Sequence, residues 1–189
     1  MRIALLLLIL VLLSACAINR EVTIIQEVKT DEIAQKEQSK PIERGEIMKL
    51  TSKSFNQGEM IPKEFTCQGD DSSPHLAWED APAETKSFAL IVDDPDAPGG
   101  TWVHWLVKDI PPNVKEIQQN NVPGNQVQND FGKQDYGGPC PPSGTHRYFF
   151  RLYALDVGNL EANNKQDFYK EAEAHAIAKA ELMGNYQKS

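Results

Sequence analysis

The sequence predicts a mostly β fold in which two sheets pack face to face and a helix lies near the C-terminus. Two observations lead to this fold class: short apolar runs broken by turn residues beyond Met48, and a single late segment with a helical period. The length of 189 residues suits one domain. A charged fraction of 24% is ordinary for a globular chain and argues against a fully disordered protein.

Three runs have the length and composition of strands. Residues 87–92 form a continuous apolar run that is stopped by acidic residues and a proline. Residues 102–107 form a second run, and residues 147–155 are the strongest candidate because they are rich in aromatic side chains. We predict weaker strands around residues 50–54 and 76–78.

One segment has the spacing of a helix. Its apolar residues recur every three or four positions: Tyr169, Ala172, Ala176, Ala180 and Met183. Asp167 precedes this series as a cap and Gly184 follows it as a stop. The pattern therefore predicts a helix over residues 167–183, with His175 on its surface.

The first residues are typical of an export signal. One positive charge, Arg2, is followed by an unbroken apolar stretch over residues 3–13, which is too short to cross a bilayer. The ending Leu-Ser-Ala-Cys at residues 13–16 resembles a bacterial lipobox. We therefore predict a lipoprotein signal peptide over residues 1–15 and lipidation of Cys16. A plain signal peptide with an incidental cysteine is the alternative.

Residues 16–47 predict a flexible tether between the membrane and the domain. This stretch contains no aromatic residue, mixes acidic, basic and glutamine side chains, and ends with Pro41 and Gly45. The run at residues 22–25 has strand composition but no comparable partner nearby. A helical stalk is the competing interpretation.

The residue after the cysteine bears on the destination of the protein. It is Ala17 rather than aspartate, so the inner-membrane retention signal of enteric-type lipoproteins is missing. We expect an exported protein, anchored by lipid in the outer membrane and facing the periplasm. In a host with one membrane, the same anchor places the protein on the cell surface.

The charge of the chain excludes one class of partner. The formal net charge is -8 and no basic cluster interrupts it, whereas nucleic-acid binding depends on basic side chains that contact phosphates. We expect no nucleic-acid partner. An acidic chain also attracts anions poorly at long range, so any anion binding is expected to be weak and local.

Two histidines lie on apolar, strand-like faces. Because strand side chains alternate, His146 and Tyr148 point to one side of their strand. Trp102 and His104 likewise share a face, on which we also expect Leu106. A charged imidazole beside a tyrosine hydroxyl offers hydrogen-bond donors to an anion.

Each histidine follows a loop rich in glycine and proline, residues 94–100 and 137–144. Such loops make rigid turns in which backbone N–H groups approach a ligand closely. A carboxylate such as Asp94 favours the charged form of a nearby histidine. The pattern indicates an anion site, although a satisfied core histidine is the simpler explanation for either residue alone.

These residues carry a family resemblance. Residues 94–98 (Asp-Pro-Asp-Ala-Pro), His104 and residues 144–148 (Gly-Thr-His-Arg-Tyr) resemble both signature regions of the phosphatidylethanolamine-binding protein (PEBP) family. Residues 66–74 and 137–142 resemble its bacterial and archaeal branch, often labelled Raf-kinase-inhibitor-like. Two separated motifs form a specific signal.

The resemblance covers residues 48–189, the predicted domain, and implies an antiparallel β-sandwich with a small anion-binding pocket at one end. It assigns six residues to the pocket: Asp94, His104, His146 and Tyr148 as its lining, with Trp102 and Pro139 as walls. It implies no metal and no cofactor. We also expect a cis peptide bond at Asp94–Pro95 or beside it, since such rigid turns hold cis-proline.

The resemblance implies a non-enzymatic protein that binds an anion or phosphate group. Phospholipid head groups and the modulation of a partner enzyme, a protease or a kinase, remain open, as does a homodimer. Eukaryotic members have a longer insertion where this chain has only residues 99–101. Eukaryotic roles in kinase inhibition and flowering signals are therefore not carried over.

Two enzymatic alternatives use the same residues. Asp94, His104 and His146 form a two-histidine, one-carboxylate set that could bind a transition metal and activate water as a hydrolase. Ser143 with His146 could form a serine hydrolase, but the Gly-x-Ser-x-Gly elbow is missing. A pure interaction protein is a third alternative that the sequence does not separate from small-ligand binding.

Cys67 and Cys140 both belong to the domain. Because thiols of exported proteins tend to be oxidised, a disulfide between them is one alternative. Two buried thiols are the other, since the branch that these segments resemble is not restricted to exported proteins. The export signal slightly favours the disulfide.

Overall fold

In the computed structural model of the chain, the structure describes residues 47–189. The predicted signal peptide over residues 1–15, the lipidation site at Cys16 and nearly all of the predicted tether lie outside the described residues. Among the described helices, none is long and apolar enough to span a membrane.

Eight strands and one α-helix build the described part of the chain. The strands are β1 (Lys49–Thr51), β2 (Leu76–Glu79), β3 (Ser87–Asp94), β4 (Trp102–Ile110), β5 (Glu116–Ile117), β6 (Asn125–Val127), β7 (Thr145–Leu155) and β8 (Ala176–Gln187). The helix α1 spans Lys165–Ala174, and a short 3₁₀ turn spans Lys63–Phe65. All five predicted strands are present, the three strong ones as β3, β4 and β7.

The strands form two antiparallel sheets, which confirms the predicted mostly β sandwich. The small sheet has the order β1-β2-β5 and the large one the order β6-β4-β3-β7-β8. The main core lies between them, where Leu50, Leu76 and Ile117 of the small sheet pack in one cluster with Phe88 and Phe150 of the large sheet.

The other face of the large sheet is covered by α1. Phe168 and Ala172 of the helix are fully buried in a second cluster with Ala89, Ile91 and Val103. Strand β3 is therefore buried on both faces along its whole length. This position explains why its sequence is a continuous apolar run rather than an alternating one.

The predicted helix is too long, and its second half is a strand. The helix begins after Asn164, whose side chain accepts a hydrogen bond from the Asp167 backbone N–H at 3.0 Å, and it ends at Ala174. Asp167 is thus in the first turn and is not the cap. His175 follows the helix, only partly exposed, and its Nδ1 lies 2.9 Å from a carboxylate oxygen of Asp156.

Residues 176–187 pair with β7 as β8 because their buried residues also alternate. Ala180, Leu182, Gly184 and Tyr186 face the main core, a period of two that the helical spacing of the same segment had masked. Gly184 lies inside this strand and does not stop a helix. A Cβ at Gly184 would come within 2.5 Å of Cγ1 of Ile61, so a close approach requires glycine there.

Candidate anion-binding site

Asp94 and His146 meet where β3 ends and β7 begins, because these strands are antiparallel neighbours. His146 Nδ1 donates to Oδ2 of Asp94 at 2.7 Å, and both side chains are buried. The other carboxylate oxygen, Oδ1, accepts from the backbone N–H of Asp96 at 2.8 Å. Asp94 therefore holds the histidine ring and the following turn at the same time.

That turn needs no cis peptide bond. Every peptide bond in residues 47–189 is trans, so the expectation of a cis bond at Asp94–Pro95 or beside it is wrong. The hydrogen bond from the Asp96 N–H to the Asp94 side chain closes the turn as an Asx-turn, which a trans bond accommodates.

Hydrogen bonds between Asp96 and Arg147 attach this turn to β7. Arg147 donates to the Asp96 carboxylate from its backbone N–H at 3.0 Å, from Nε at 2.8 Å and from an Nη2 group at 2.7 Å. These bonds hold the pKa of Asp96 at about 2. Neither residue was predicted to have a role, although the sequence places an acidic residue in one motif and a basic residue in the other.

His104 sits on a β-bulge of β4. In the pairing of β3 with β4, Val92 lies opposite Trp105 and the next residue, Asp93, lies opposite Val103, so His104 is the extra residue. The bulge turns the imidazole toward Tyr148, with ring centroids 5.2 Å apart and planes at 87°.

Because of this bulge, the prediction that Leu106 shares a face with Trp102 and His104 is wrong. Leu106 packs in the cluster beneath α1 instead of on the His104 face, and Trp105 takes its place in the main core. An extra residue inverts the alternation on one side of a bulge, which strict alternation along the sequence does not reveal.

The ring of His104 is fixed by a backbone carbonyl. Its Nδ1 donates to the carbonyl oxygen of Gly137 at 2.6 Å, and the Gly137 N–H donates back to the carbonyl of His104 at 3.1 Å. Burial lowers the pKa of His104, although the Gly137 carbonyl and the Asp94 charge act in the opposite direction. The Asp94 charge thus favours the charged imidazole of His104, as expected, but it opposes the larger effect of burial.

Tyr148 contributes a buried hydroxyl. The side chain is fully buried, and within the described residues its hydroxyl has no hydrogen bond of normal geometry, although it lies near the Asp94 carboxylate and the Cys140 backbone. Burial raises the pKa of Tyr148 far above its ordinary value, and the Asp94 charge adds to the effect. The hydroxyl is therefore neutral and is available as a donor.

A disulfide between Cys67 and Cys140 ties the 137–140 segment to the loop before β2, with Cα atoms 5.5 Å apart. Beside it, the Cys67 N–H donates to the carbonyl of Pro139 at 3.2 Å. The Gly138 N–H donates to Oδ1 of Asp71 at 2.7 Å. Pro139 is buried within this clamped segment.

Two partly exposed aromatic side chains lie next to the buried polar cluster. Trp102 is 39% exposed and Phe131 is 40% exposed, and their rings meet edge to face at 5.5 Å. Phe131 also lies 5.2 Å from the His104 ring. Phe131 was not predicted to lie at the site, because in the sequence it is an isolated aromatic residue in a polar stretch.

The structure bears on both enzymatic alternatives, the metal hydrolase and the serine hydrolase. Among residues 47–189, no group of three or more histidine, cysteine or acidic side chains is arranged to hold a metal ion, and the metal hydrolase has no support. Ser143 is exposed, and the hydrogen bond of His146 goes to Asp94.

Two features outside the pocket have structural explanations. His75 lies with Nε2 at 3.0 Å from a carboxylate oxygen of Glu116. A separate cavity of about 670 Å³ lies on the α1 face, lined by residues such as Asp93, Arg151 and Lys165. Arg151 is paired there with Asp93, and Tyr169 donates to the same carboxylate at 2.6 Å.

A β-sandwich with a cluster of buried polar side chains at one end fits the class of small binding domains. Residues 51–187 match the family described as phosphatidylethanolamine-binding protein. The chain belongs to this family, as its two motifs predicted.

Relatives and solved structures agree with this assignment. A UPF0098 protein of Aquifex aeolicus is 46% identical over 155 residues, which cover 76% of this chain and 91% of the relative. A UPF0098 protein of Methanothermobacter thermautotrophicus is 46% identical over 150 residues, covering 75% of this chain and 99% of the relative.

Two solved structures are similar in fold. The crystal structure of a putative PEBP homologue from Chlamydia trachomatis has a TM-score of 0.71 and 41% identity, and the match covers 76% of this chain and 99% of that one. The structure of E. coli YbcL, described as a member of the mammalian PEBP family, has a TM-score of 0.72 and 32% identity, covering 76% and 100%.

Proposed function

We propose that this chain binds a small anion, with a phosphate group as the preferred chemistry, in the pocket of Asp94, His104, His146 and Tyr148. The observation that carries the proposal is the Tyr148 hydroxyl, which is buried and makes no hydrogen bond of normal geometry among the described residues. An unsatisfied buried hydroxyl costs about 1–3 kcal/mol. A ligand oxygen in the pocket removes this cost.

The two histidines supply the remaining polar contacts. Each ring uses Nδ1 for a bond within the protein, so Nε2 is the nitrogen left for a ligand. When an imidazole is charged, its Nε2–H donates to an anion. Asp94 orients His146 and is not itself a ligand, because both carboxylate oxygens already accept hydrogen bonds.

The family description supports a phosphate-bearing ligand, since phosphatidylethanolamine contains a phosphate. A phospholipid head group and a phosphorylated group on a partner protein present the same chemistry to the pocket. The exposed rim of Trp102 and Phe131 fits an apolar group attached to that phosphate. Modulation of a partner protease or kinase is the second function that the same pocket could serve.

The proposal includes an exported, lipid-anchored protein. The residues 13–16 motif and the apolar stretch before it support lipidation of Cys16 and a periplasm-facing outer-membrane anchor. The disulfide is consistent with an oxidising compartment. A Cys16→Ser variant should be released from the membrane fraction, whereas continued membrane retention would contradict the anchor.

The pocket itself is tested by calorimetric titration of the full chain with inorganic phosphate. Tyr148→Phe removes only the buried hydroxyl and should weaken binding about ten-fold or more. Tyr153→Phe is the matched control, because that hydroxyl donates to Glu173 at 2.8 Å on the α1 face. Equal phosphate affinity of Tyr148→Phe and the unchanged chain would overturn the assignment.

A further inference from the structure

We infer that the cavity on the α1 face is a second ligand site, separate from the cluster of Asp94, His104 and His146. Its ligand is a small amphipathic anion, a carboxylate attached to an apolar body. The cavity has a volume of about 670 Å³, which lies within the range of sites that enclose small molecules. This inference goes beyond the proposed function and does not depend on it.

The cavity lies on the opposite face of the large sheet from that cluster. Asp93 lines the cavity, and its neighbour Asp94 points to the other side of β3 because side chains alternate along a strand. Val103 also lines the cavity and packs beneath α1, whereas the next residue, His104, faces Tyr148. A ligand in the cavity therefore contacts a different set of side chains.

The lining is mostly apolar and is held in place. Pro95, Val103 and the ring of Tyr169 contribute apolar surface. The Tyr169 hydroxyl donates to the Asp93 carboxylate at 2.6 Å, and Arg151 is paired with the same carboxylate. Asp93 is therefore occupied within the protein, and it fixes two of the side chains that a ligand meets.

The lining carries more positive than negative charge, although the whole chain has a net charge of -8. Among the described residues that line the cavity, three are basic, Arg151, Lys165 and Lys170, and Asp93 is acidic. A local excess of positive charge on an acidic protein favours an anion at this surface.

Some of the polar groups in the lining have donors that the protein does not use. Arg151 donates to carboxylates from Nε and Nη1, which leaves Nη2 without a hydrogen bond within residues 47–189. The exposed Lys170 bonds to its neighbour Glu171 at 2.8 Å, a surface contact that a ligand replaces at little cost. The Gln166 amide makes no hydrogen bond in the same part of the chain. Guanidinium, ammonium and amide N–H groups are donors that bind a carboxylate.

This combination of groups selects the class of ligand. A carboxylate accepts hydrogen bonds from Arg151 and Lys170, while an apolar body covers Pro95 and Val103. A bare inorganic anion gains nothing from the apolar lining, and a neutral apolar molecule leaves the donors unused. A cation meets the local positive charge and is disfavoured.

Calorimetric titration of the full chain with 4-phenylbutyrate tests the site. 4-Phenylbutyramide has the same apolar body without the charge, and 4-phenylbutylamine has the opposite charge. The carboxylate should bind about ten-fold more tightly than the amide, because hydrogen bonds to a charged group are the stronger ones. The amine should not bind measurably. Equal affinities of the carboxylate and the amide, or no binding of the carboxylate, would overturn the inference.

A Gln166→Trp variant places the probe in the cavity. The new side chain fills the space beside the first turn of α1 and should abolish measurable binding of 4-phenylbutyrate. Gln166 is exposed, so the fold does not depend on its side chain. Gln119→Trp, at an exposed position in the loop after β5, is the matched control. If Gln166→Trp binds as well as the control, the probe lies elsewhere and the inference is wrong.

A Lys170→Glu variant tests the preference for an anion. Reversal of this exposed charge should weaken binding of 4-phenylbutyrate about three-fold or more. Lys86→Glu makes the same change at an exposed position before β3, where the lysine has no carboxylate partner among the described residues. Unchanged affinity in Lys170→Glu would contradict a carboxylate beside this lysine.

His146→Ala separates the second site from the proposed function. Its side chain lies on the other face of the sheet, so the folded variant should bind 4-phenylbutyrate with unchanged affinity. Tyr148→Phe, which removes a single oxygen atom, gives the same information if His146→Ala does not fold. Loss of binding would mean that the probe occupies the cluster of Asp94, His104 and His146, and there is then no second site. Failure of inorganic phosphate to bind would defeat the proposed function and leave this inference standing.

Discussion

At the scale of single residues, the proposed site is defined by the polar atoms that are not used in hydrogen bonds within the protein. Asp94 uses both carboxylate oxygens within the protein, and each histidine uses Nδ1. What remains for a ligand is the pair of Nε2 atoms and the Tyr148 hydroxyl. The residue types were readable from the motifs, whereas the oxygen that each Nδ1 reaches is decided only in the folded chain.

His146→Ala should abolish measurable binding of inorganic phosphate, because it removes one of the two Nε2 atoms and leaves the Asp94 carboxylate without its partner. Calorimetric titration measures the loss. His175→Ala is the control, since that histidine lies beyond the end of α1 and pairs with Asp156. Retained affinity in His146→Ala would remove this residue from the site.

Phosphate affinity should rise as the pH falls from 8 to 5. A charged imidazole donates through Nε2, and protonated phosphate donates to a neutral one, so both changes favour the complex at lower pH. Because burial lowers the pKa of His104, its own contribution should appear below the usual histidine range. Titrations at a series of pH values check the sign; affinity that falls with acidification contradicts it.

At the scale of elements, strand ends and loops bring the site together. The end of β3, the bulge in β4 and the start of β7 are adjacent because β3 lies between the other two in the large sheet. The sequence predicted these three strands and correctly placed a histidine at the start of two of them. The bulge was not predictable, because an extra residue shows only in the pairing with a neighbour.

Arg147→Met should raise the pKa of Asp96 from about 2 toward its ordinary value, because three hydrogen bonds to the carboxylate depend on this residue and two come from its guanidinium. A group with a lowered folded-state pKa stabilises the fold above its unfolded pKa of about 4 and loses that contribution as the pH falls toward 2. Carboxyl NMR titration measures the shift directly.

The corresponding change in the free energy of unfolding is expected at acidic pH. In the unchanged chain, the Asp96 contribution should be complete near pH 5 and should disappear between about pH 4 and pH 2. The Arg147→Met variant should show a weaker loss in this window. An unchanged Asp96 titration in the variant would mean that Arg147 is not the cause of the lowered pKa.

Gly184→Ala should destabilise the domain by about 1–3 kcal/mol, since the added Cβ overpacks the core. It would lie 2.5 Å from Cγ1 of Ile61 and 2.8 Å from a ring carbon of Phe55. Gly158→Ala is the matched control, because a Cβ there meets no atom within 4 Å. Denaturant unfolding compares the two variants; equal stability would argue against a tightly packed β8.

At the scale of the whole molecule, the described domain has three layers: the small sheet, the large sheet and α1. The small sheet and α1 cover the two faces of the large sheet and bury its apolar side chains. The cluster of Asp94, His104, His146 and Tyr148 lies at one end of this sandwich, near the end of β3 and the start of β7. The disulfide connects two of those loops across a sequence separation of 73 residues.

Replacing Cys67 and Cys140 by serine should lower the free energy of unfolding by roughly 4 kcal/mol in the chain-entropy treatment of a loop of this length. Phosphate affinity should fall as well, because the 137–140 segment also holds the His104 ring through the Gly137 carbonyl. Denaturant unfolding and calorimetric titration measure the two effects. Unchanged affinity in a folded variant would show that the hydrogen bonds alone hold the loop.

The sequence by itself determined the family, the three long central strands and the pairing of His146 with Tyr148 on one face, because motifs and strand alternation are local properties. Tertiary structure decided the rest. Residues 176–187 satisfy both a helical and a strand period, and only their pairing with β7 selects the strand. The bulge at His104, the role of Arg147 and the hydrogen bonds of the histidine rings likewise depend on partners far away along the chain, which local patterns do not encode.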